Sequence, residues 1–482
     1  MLGTPMPKPI VTVTKLDEVF MQVNCPDDGL AKDLFDFFSY MVPNHKFMPS
    51  FRSGFWDGKV RLFSIKTRKI YIGLLPYVDE FCRERGYEFR GVHDVIGEKV
   101  RNLPEVEKEF ENQLKSWNIP MVPRDYQLEA FKSAIEYGRQ LLLSPTASGK
   151  SLIIYMLVRW FNTKTVIIVP TTSLVEQMTK DFQEYGYKDP ICKIYSKQPV
   201  FDADITITTW QSFAKAPKEV LQSFGMVVGD EAHLFKADVL KGILEKMKDT
   251  AIRIGTTGTL DGSEVHRLQL EGLFGPVKKV ITTKQLMDEG TIANLNIDCV
   301  ILRHTKQKKT TYVEEMDYLV GCKARNDFIC NLVYSLKGNT LVLFQYVEKH
   351  GVVLHNKMMK RLGDQLHYVY GGTDVKDREE VRVLVEKAND NVILASYGTF
   401  STGVNIKKID NVVFASPSKS RIRNLQSIGR GLRKAEGKTT MRLFDIADDL
   451  QCNNYTLKHL KERINIYNEE GFSYEIRQFN LK

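Results

Sequence analysis

Apolar and polar positions run along this chain in two long series. Residues 141–143, 165–169, 205–207, 226–228 and 252–254 are short, mostly apolar runs, and the segments between them carry apolar residues at helical spacing. A run that is apolar at nearly every position fits a strand buried on both faces, and such strands separated by helices fit a parallel sheet covered on both sides. Residues 340–344, 366–370, 392–395, 412–415 and 441–444 repeat the pattern. Residues 290–324 fit neither series and are expected to contain the connection between two α/β units. Residues 7–115 read as a smaller α/β module, set off by Pro120 and Pro123. Near the end, Leu457, Leu460, Ile464 and Tyr467 share a helical face that Gly471 should terminate, and Phe472, Tyr474 and Ile476 then alternate as a last strand. The expected fold class is α/β. Its domains are an accessory module over 1–118, a first parallel-sheet domain over 119–288, and a second over 289–482 that includes the connecting segment and the C-terminal helix.

Composition narrows the class. With 43% apolar and 26% charged residues among 482, the chain is globular rather than disordered. No apolar run approaches the roughly 18 residues of a membrane span, so no membrane partner is expected. The seven cysteines are scattered and form no C-x-x-C pair, which argues against a zinc ribbon and fits a reducing, cytoplasmic setting. A formal charge of +9 suits a polyanionic partner without demanding one.

Three motifs carry chemistry. The first strand of the first series runs into Ser144, Pro145, Thr146, Ala147, Ser148, Gly149, Lys150 and Ser151. This matches the phosphate-binding pattern G-x-x-x-x-G-K-[ST] except that Ser144 replaces the first glycine. Loop N–H groups and a helix N-terminus would cradle phosphates, Lys150 would reach the β- and γ-phosphates, and the Ser151 hydroxyl would bind Mg²⁺. The alternative is a Ser/Gly-rich turn with an exposed lysine. Eighty residues beyond Lys150, Asp230, Glu231, Ala232 and His233 close an apolar strand. A carboxylate at the carboxyl end of a neighbouring parallel strand can face the phosphate loop. Asp230 would hold Mg²⁺ and Glu231 would orient and deprotonate the attacking water; the alternative is a solvated acidic loop. In the second series, Gln426, Arg430 and Arg433 fall on one face if residues 426–433 are helical. Arginines there could stabilise charge on a transferred phosphoryl group, or form a solvated or nucleic-acid-binding basic helix.

These elements, in this order, resemble the superfamily 2 helicases and translocases. The resemblance covers residues 124 to about 446 and implies two RecA-like domains, with ATP and Mg²⁺ as cofactors. It implies that Arg124 and Gln127 read the adenine, that Pro170, Thr171 and Thr172 form motif Ia and Thr209, Trp210 and Gln211 motif Ib, and that residues 257–260 couple hydrolysis to movement. It likewise places motif IV at Phe344 and Gln345 and motif V at Thr402 and Gly403, as DNA contacts. The stretch Phe47-Met-Pro-Ser-Phe-Arg-Ser-Gly-Phe-Trp-Asp-Gly is similar to the N-terminal segment of the UvsW-type phage recombination helicases. That likeness implies 3′ to 5′ movement on branched and double-stranded DNA in the host cytoplasm. RNA–DNA hybrids and recombination or single-strand-binding proteins are further partners consistent with it, and a monomer is expected.

The same segment stands on its own chemistry. From 46 to 69 the basic residues Lys46, Arg52, Lys59, Arg61, Lys66, Arg68 and Lys69 face a single acid, Asp57, and are interleaved with Phe47, Phe51, Phe55, Trp56 and Phe63. Basic residues follow phosphates and aromatic faces stack on bases, so Arg52, Phe55, Trp56, Lys59 and Arg61 are candidate DNA contacts. Phe47, Phe51 and Phe55, four apart, fit an ordinary core equally well. The sequence therefore favours an ATP-dependent DNA translocase that remodels branched DNA. An RNA helicase and a nucleotide-gated DNA clamp are the rival readings.

Overall fold

The computed structural model describes residues 9–91, 95, 103–195, 200–234, 237–260, 262–309, 311–399, 406–416, 420–435 and 437–481. The chain forms two compact units: Met1–Ser144 with Gly149–Val280, and Pro145–Ser148 with Ile281–Lys482.

The first unit begins with β1 (Ile10–Lys15) and β2 (Phe20–Asn24), followed by the short ribbon β3 (Ser39–Met41) and β4 (Lys59–Arg61), then β5 (Lys69–Tyr71) and β6 (Glu88–Arg90). Strands β5-β2-β1-β6 make a four-stranded sheet, while β3 and β4 form a separate two-stranded sheet. Next come β7 (Arg139–Leu143), β8 (Thr165–Val169), β9 (Ile191–Ile194), β10 (Ile205–Thr209), β11 (Met226–Asp230), β12 (Ile252–Thr257) and β13 (Val277–Lys279). They form one parallel sheet in the order β13-β7-β12-β11-β8-β10-β9. Every residue of β8, β10 and β11 is buried, which is why these runs are apolar or β-branched up to Gly229 and Asp230 at the end of β11.

The small N-terminal sheet and the large one share a continuous core that joins Val11, Met21 and Phe81 to Leu141, Val227 and Phe274. Polar contacts reinforce the seam. The Tyr71 hydroxyl donates to Glu245 at 2.6 Å and that of Tyr77 to Glu271 at 2.7 Å. Glu18 pairs at 2.8 Å with Arg139, at the start of β7. Gly73 permits the close approach: a Cβ there would lie 1.9 Å from the carbonyl oxygen of Glu271.

In the second unit β14 (Asn294–Arg303), β15 (Thr340–Phe344), β16 (Leu366–Val369), β17 (Val392–Ser396), β18 (Asn411–Phe414), β19 (Thr440–Asp449) and β20 (Tyr474–Asn480) form a parallel sheet in the order β16-β17-β15-β18-β19-β14-β20. The helix Tyr455–Glu470 ends at Gly471, whose φ of 71° supplies the left-handed cap. One expectation is corrected. The segment 290–324 is not a connection between units: the units divide at 280/281, and residues 294–303 form a ten-residue strand paired on both sides. Asn294, Asn296 and Asp298 obscured it by interrupting the apolar run. Asp298 is tolerated because Arg442 and Arg477, on the two flanking strands, approach its carboxylate at 3.0 and 3.1 Å.

A buried polar network underlies the segment that follows β18. Arg325 bridges Asp448 and the Ala415 carbonyl, both at 2.8 Å, and His304 meets Asp448 at 2.9 Å. His350, wholly buried, contacts Ser416 Oγ at 2.9 Å and Asn326 Oδ1 at 3.2 Å. Burial, and secondarily Arg325, push its pKa down from 6.5 to about 3. The folded state thus resists a proton that the unfolded chain accepts. The His350 contribution is complete above pH 6.5 and is lost as pH falls from there toward 3, at about 1.4 kcal/mol per unit. Urea unfolding of the full chain, read by amide exchange in β15 and β18, should show a loss of about 2 kcal/mol between pH 7.5 and 5. A His350→Gln variant should lack most of that slope, and an equal slope in both proteins would refute the assignment.

Candidate functional site

The phosphate loop joins β7 to the helix Lys150–Phe161. Ala147 and Gly149 have φ of 68° and 78°. Left-handed backbone at such positions turns successive N–H groups toward one concavity, an anion nest at a helix N-terminus. Ser144 is not among the left-handed residues; its N–H continues the sheet by donating to Thr257 O at 2.8 Å. The pattern's first glycine is therefore dispensable here. Gly149 is not: a Cβ would lie 2.4 Å from Gln127 Nε2. Gln127 is itself pinned, with Oε1 accepting from Arg124 N at 2.9 Å and Nε2 donating to Gly149 O at 3.3 Å. The proposed adenine reader is thereby tied directly to the phosphate loop.

Lys150 Nζ sits 2.7 Å from Glu231 Oε1. Sheet order explains the meeting, because β12 alone separates β7 from β11. Glu231 has a φ of 52°, a strained conformation for a residue with a side chain, at the turn just past β11. Asp230 Oδ1 accepts from Thr256 Oγ1 at 2.5 Å, His233 Nδ1 contacts Thr257 Oγ1 at 2.5 Å, and Gly258 N donates to Glu231 Oε2 at 3.5 Å. The end of β12 thus touches three of the four residues of the Asp-Glu-Ala-His turn. Burial opposes ionisation of both acids. At Asp230 burial and the neighbouring Glu231 prevail, and its pKa is raised. At Glu231 the charge of Lys150, aided by His233, overcomes burial and holds the carboxyl well below the usual range. Asp230 and Ser151, the expected cation ligands, are both oxygen donors, as suits a hard divalent cation.

Tyr185 is the functional neighbour that sequence reasoning missed. Its hydroxyl lies 2.8 Å from Ser151 Oγ. It closes the helix Thr172–Glu184, and no motif spacing signals it.

The other expected site residues separate into groups. Thr171 caps the helix after β8 and accepts from Leu174 N at 3.4 Å; Thr172 is exposed and Pro170 buried. Thr209 precedes a short helix after β10, where Trp210 is half-buried and Gln211 exposed. Both lie at carboxyl ends of adjacent strands, on the edge that carries the phosphate loop. In the second unit Gln426 and Arg430 lie on the helix Arg421–Gly431. Arg433 falls beyond the helix end, so the expected three-residue face is corrected to two. The helix stops as Gly431 packs against Met441 and its carbonyl accepts from Lys438 Nζ. Phe344 is also corrected: it is fully buried and stacked on Tyr368, so it serves the core and only Gln345, half-buried, remains of the motif IV pair. Thr402 and Gly403 lie outside the described residues.

In the N-terminal module Phe55 is 92% exposed and Phe47 71%, which excludes the core explanation for this pair. Trp56 is half-buried, its Nε1 donating to Lys59 O at 2.8 Å, and Arg61 is paired with Asp57. Arg52 and Lys59 are exposed.

Twin parallel sheets, one bearing a phosphate loop and an Asp-Glu pair and the other an arginine helix, define an ATP-dependent helicase of superfamily 2. Family models agree: residues 120–262 match the type III restriction enzyme res subunit, 324–435 the helicase conserved C-terminal domain, and 11–91 the N-terminal domain of the DNA helicase UvsW. The chain is 33% identical over 495 residues to the ATP-dependent DNA helicase UvsW of Enterobacteria phage T4, covering 96% of this chain and 98% of that one. It therefore belongs to the UvsW family of helicases. The crystal structure of T4 UvsW aligns at a TM-score of 0.51 with 29% identity, over 98% of this chain and all of that one. A fragment of an HsdR subunit of a type I restriction enzyme from Vibrio vulnificus aligns at 0.57 with 19% identity, over 75% of this chain and 69% of that one, and shares the fold.

Proposed function

We propose that this helicase is a DNA translocase that remodels branched DNA: it migrates Holliday junctions, regresses forks and displaces strands, including those of R-loops, during phage recombination, replication and repair. The observation that carries the reading is the Lys150–Glu231 phosphate site in a chain that also matches a DNA helicase's N-terminal domain. ATP would bind the loop 145–151 with its adenine near Arg124 and Gln127. Ser151 and Asp230 would hold Mg²⁺, which neutralises phosphate charge when bound. Glu231 orients and deprotonates water, and Gln426, Arg430 and Arg433 serve turnover from the second unit. Thr171, Thr172, Thr209, Gln211 and Gln345, with the motif V residues Thr402 and Gly403, grip the backbone of one strand. Contacts to phosphate rather than base edges suit movement along any sequence.

ATPase rates with single-stranded, duplex, forked and four-way DNA and with RNA, measured side by side, test this. Forked and four-way DNA should stimulate most, and affinity should fall steeply with salt as neutralised phosphates release counterions. Lys150→Ala should abolish both hydrolysis and junction migration. Stimulation by RNA alone would favour the RNA-helicase reading. Junction migration that survives in Lys150→Ala would exclude a motor.

A further inference from the structure

The half-buried hydroxyl of Ser151 meets that of Tyr185 at 2.8 Å, and among the described residues neither oxygen has another hydrogen-bond partner. The serine therefore does not take the common helical alternative, a bond back to a carbonyl of the preceding turn. The tyrosine is mounted rigidly. It caps the helix Thr172–Glu184, with its N–H donating to Asp181 O at 2.9 Å, and it is only 8% exposed. Its ring packs edge-on against Tyr155 at 5.4 Å. Tyr155 follows Ser151 by one turn of the helix Lys150–Phe161 and is wholly buried. Phe182 packs edge-on against Tyr155 at 5.3 Å, and the Tyr155 hydroxyl accepts from Arg159 Nη1 at 3.1 Å. The Tyr155 phenol is thus spent on Arg159, whereas that of Tyr185 is set on the phosphate loop.

For packing alone, phenylalanine would serve at 185, as it does at 182 in the same cluster. The hydroxyl is the part that packing does not explain, and it lies on a side chain expected to hold Mg²⁺. A serine hydroxyl has one proton to give and two lone pairs. Left free to rotate, it spreads those lone pairs over many directions. When it gives its proton to a fixed acceptor, it keeps both lone pairs and turns them away from that acceptor. The proton also becomes a stronger donor when the same oxygen serves a cation, so the two contacts reinforce each other. We infer that Tyr185 is a positioning residue of the ATP site: its hydroxyl accepts the Ser151 proton and directs the Ser151 lone pairs toward Mg²⁺. This deepens the reading of Ser151 as a cation ligand and rests on it.

The test is equilibrium binding of a fluorescent ADP to the full chain, once with excess Mg²⁺ and once with EDTA. The ratio of the two affinities reports the cation and is independent of turnover. Tyr185→Phe removes one oxygen and keeps the ring. It should reduce the magnesium-dependent gain in affinity by about 3- to 10-fold, the range for one lost hydrogen bond, and change affinity in EDTA less than twofold. Ser151→Ala should reduce the gain at least as much. Tyr185→Phe placed on top of Ser151→Ala should then add nothing, because the tyrosine acts through the serine. An unaltered magnesium gain in Tyr185→Phe overturns the inference. So does an equal loss with and without Mg²⁺, as a merely structural role would give, or a further loss in the Ser151→Ala background. Failure of the underlying reading looks different: Ser151→Ala by itself would then leave the magnesium gain intact.

Discussion

A Glu231→Gln variant is expected to hydrolyse ATP about 10²- to 10⁴-fold more slowly than wild type while still binding it, the usual yield of one general base. The geometry explains the split. Glu231 occupies a strained turn at the end of β11, and in the resting chain its carboxylate is engaged by Lys150 at 2.7 Å. That contact, with His233, is what holds its pKa low against burial. A γ-phosphate competing for Lys150 would draw the cation away from Glu231 and so raise the basicity of its carboxylate. Glutamine keeps the size and Gly258's hydrogen-bond acceptor but can take no proton. It also releases Lys150, so nucleotide affinity should hold or rise. Single-turnover hydrolysis together with binding of a fluorescent ATP analogue measures both quantities. Turnover within tenfold of wild type would remove Glu231 from the chemistry.

Arg430→Ala should cost about 10³- to 10⁵-fold in turnover, the range for an arginine that stabilises a transferring phosphoryl group. Arg430 lies on a helix anchored at both ends. Arg421 at its start pairs with Glu469 and Glu470, and Gly431 at its end is capped by Lys438. A guanidinium on so fixed a support can be aimed, which is what electrostatic stabilisation requires. Arg433, beyond the helix, lacks that support, so Arg433→Ala should cost less. Lysine at 430 keeps the charge but loses the planar fork and should recover only part of the rate. The competing view, a basic helix that merely touches nucleic acid, predicts weaker DNA binding with turnover preserved at saturating DNA. Steady-state kinetics at saturating ATP and DNA distinguish the two.

The sequence determined the class of this protein, because its informative features are local. Strands buried on both faces are apolar or β-branched at nearly every position, so β8, β10, β11 and β15 are written in the chain without reference to their neighbours. A phosphate loop is a short run of backbone, and its lysine and serine are adjacent to it. The substitution at Ser144 did not hide it, since the left-handed positions fall at Ala147 and Gly149. Tertiary structure decided whatever depends on which side chains meet. It made residues 294–303 a strand, because Arg442 and Arg477 from other strands balance Asp298. It sent Phe344 into the core and Phe47 and Phe55 into solvent, although a phenyl ring reads the same in each context. It brought Tyr185 to Ser151 and set Lys150 on Glu231, contacts between residues 34 and 81 positions apart. Only the order of strands in a folded sheet makes such residues neighbours, and no one-dimensional period encodes that order.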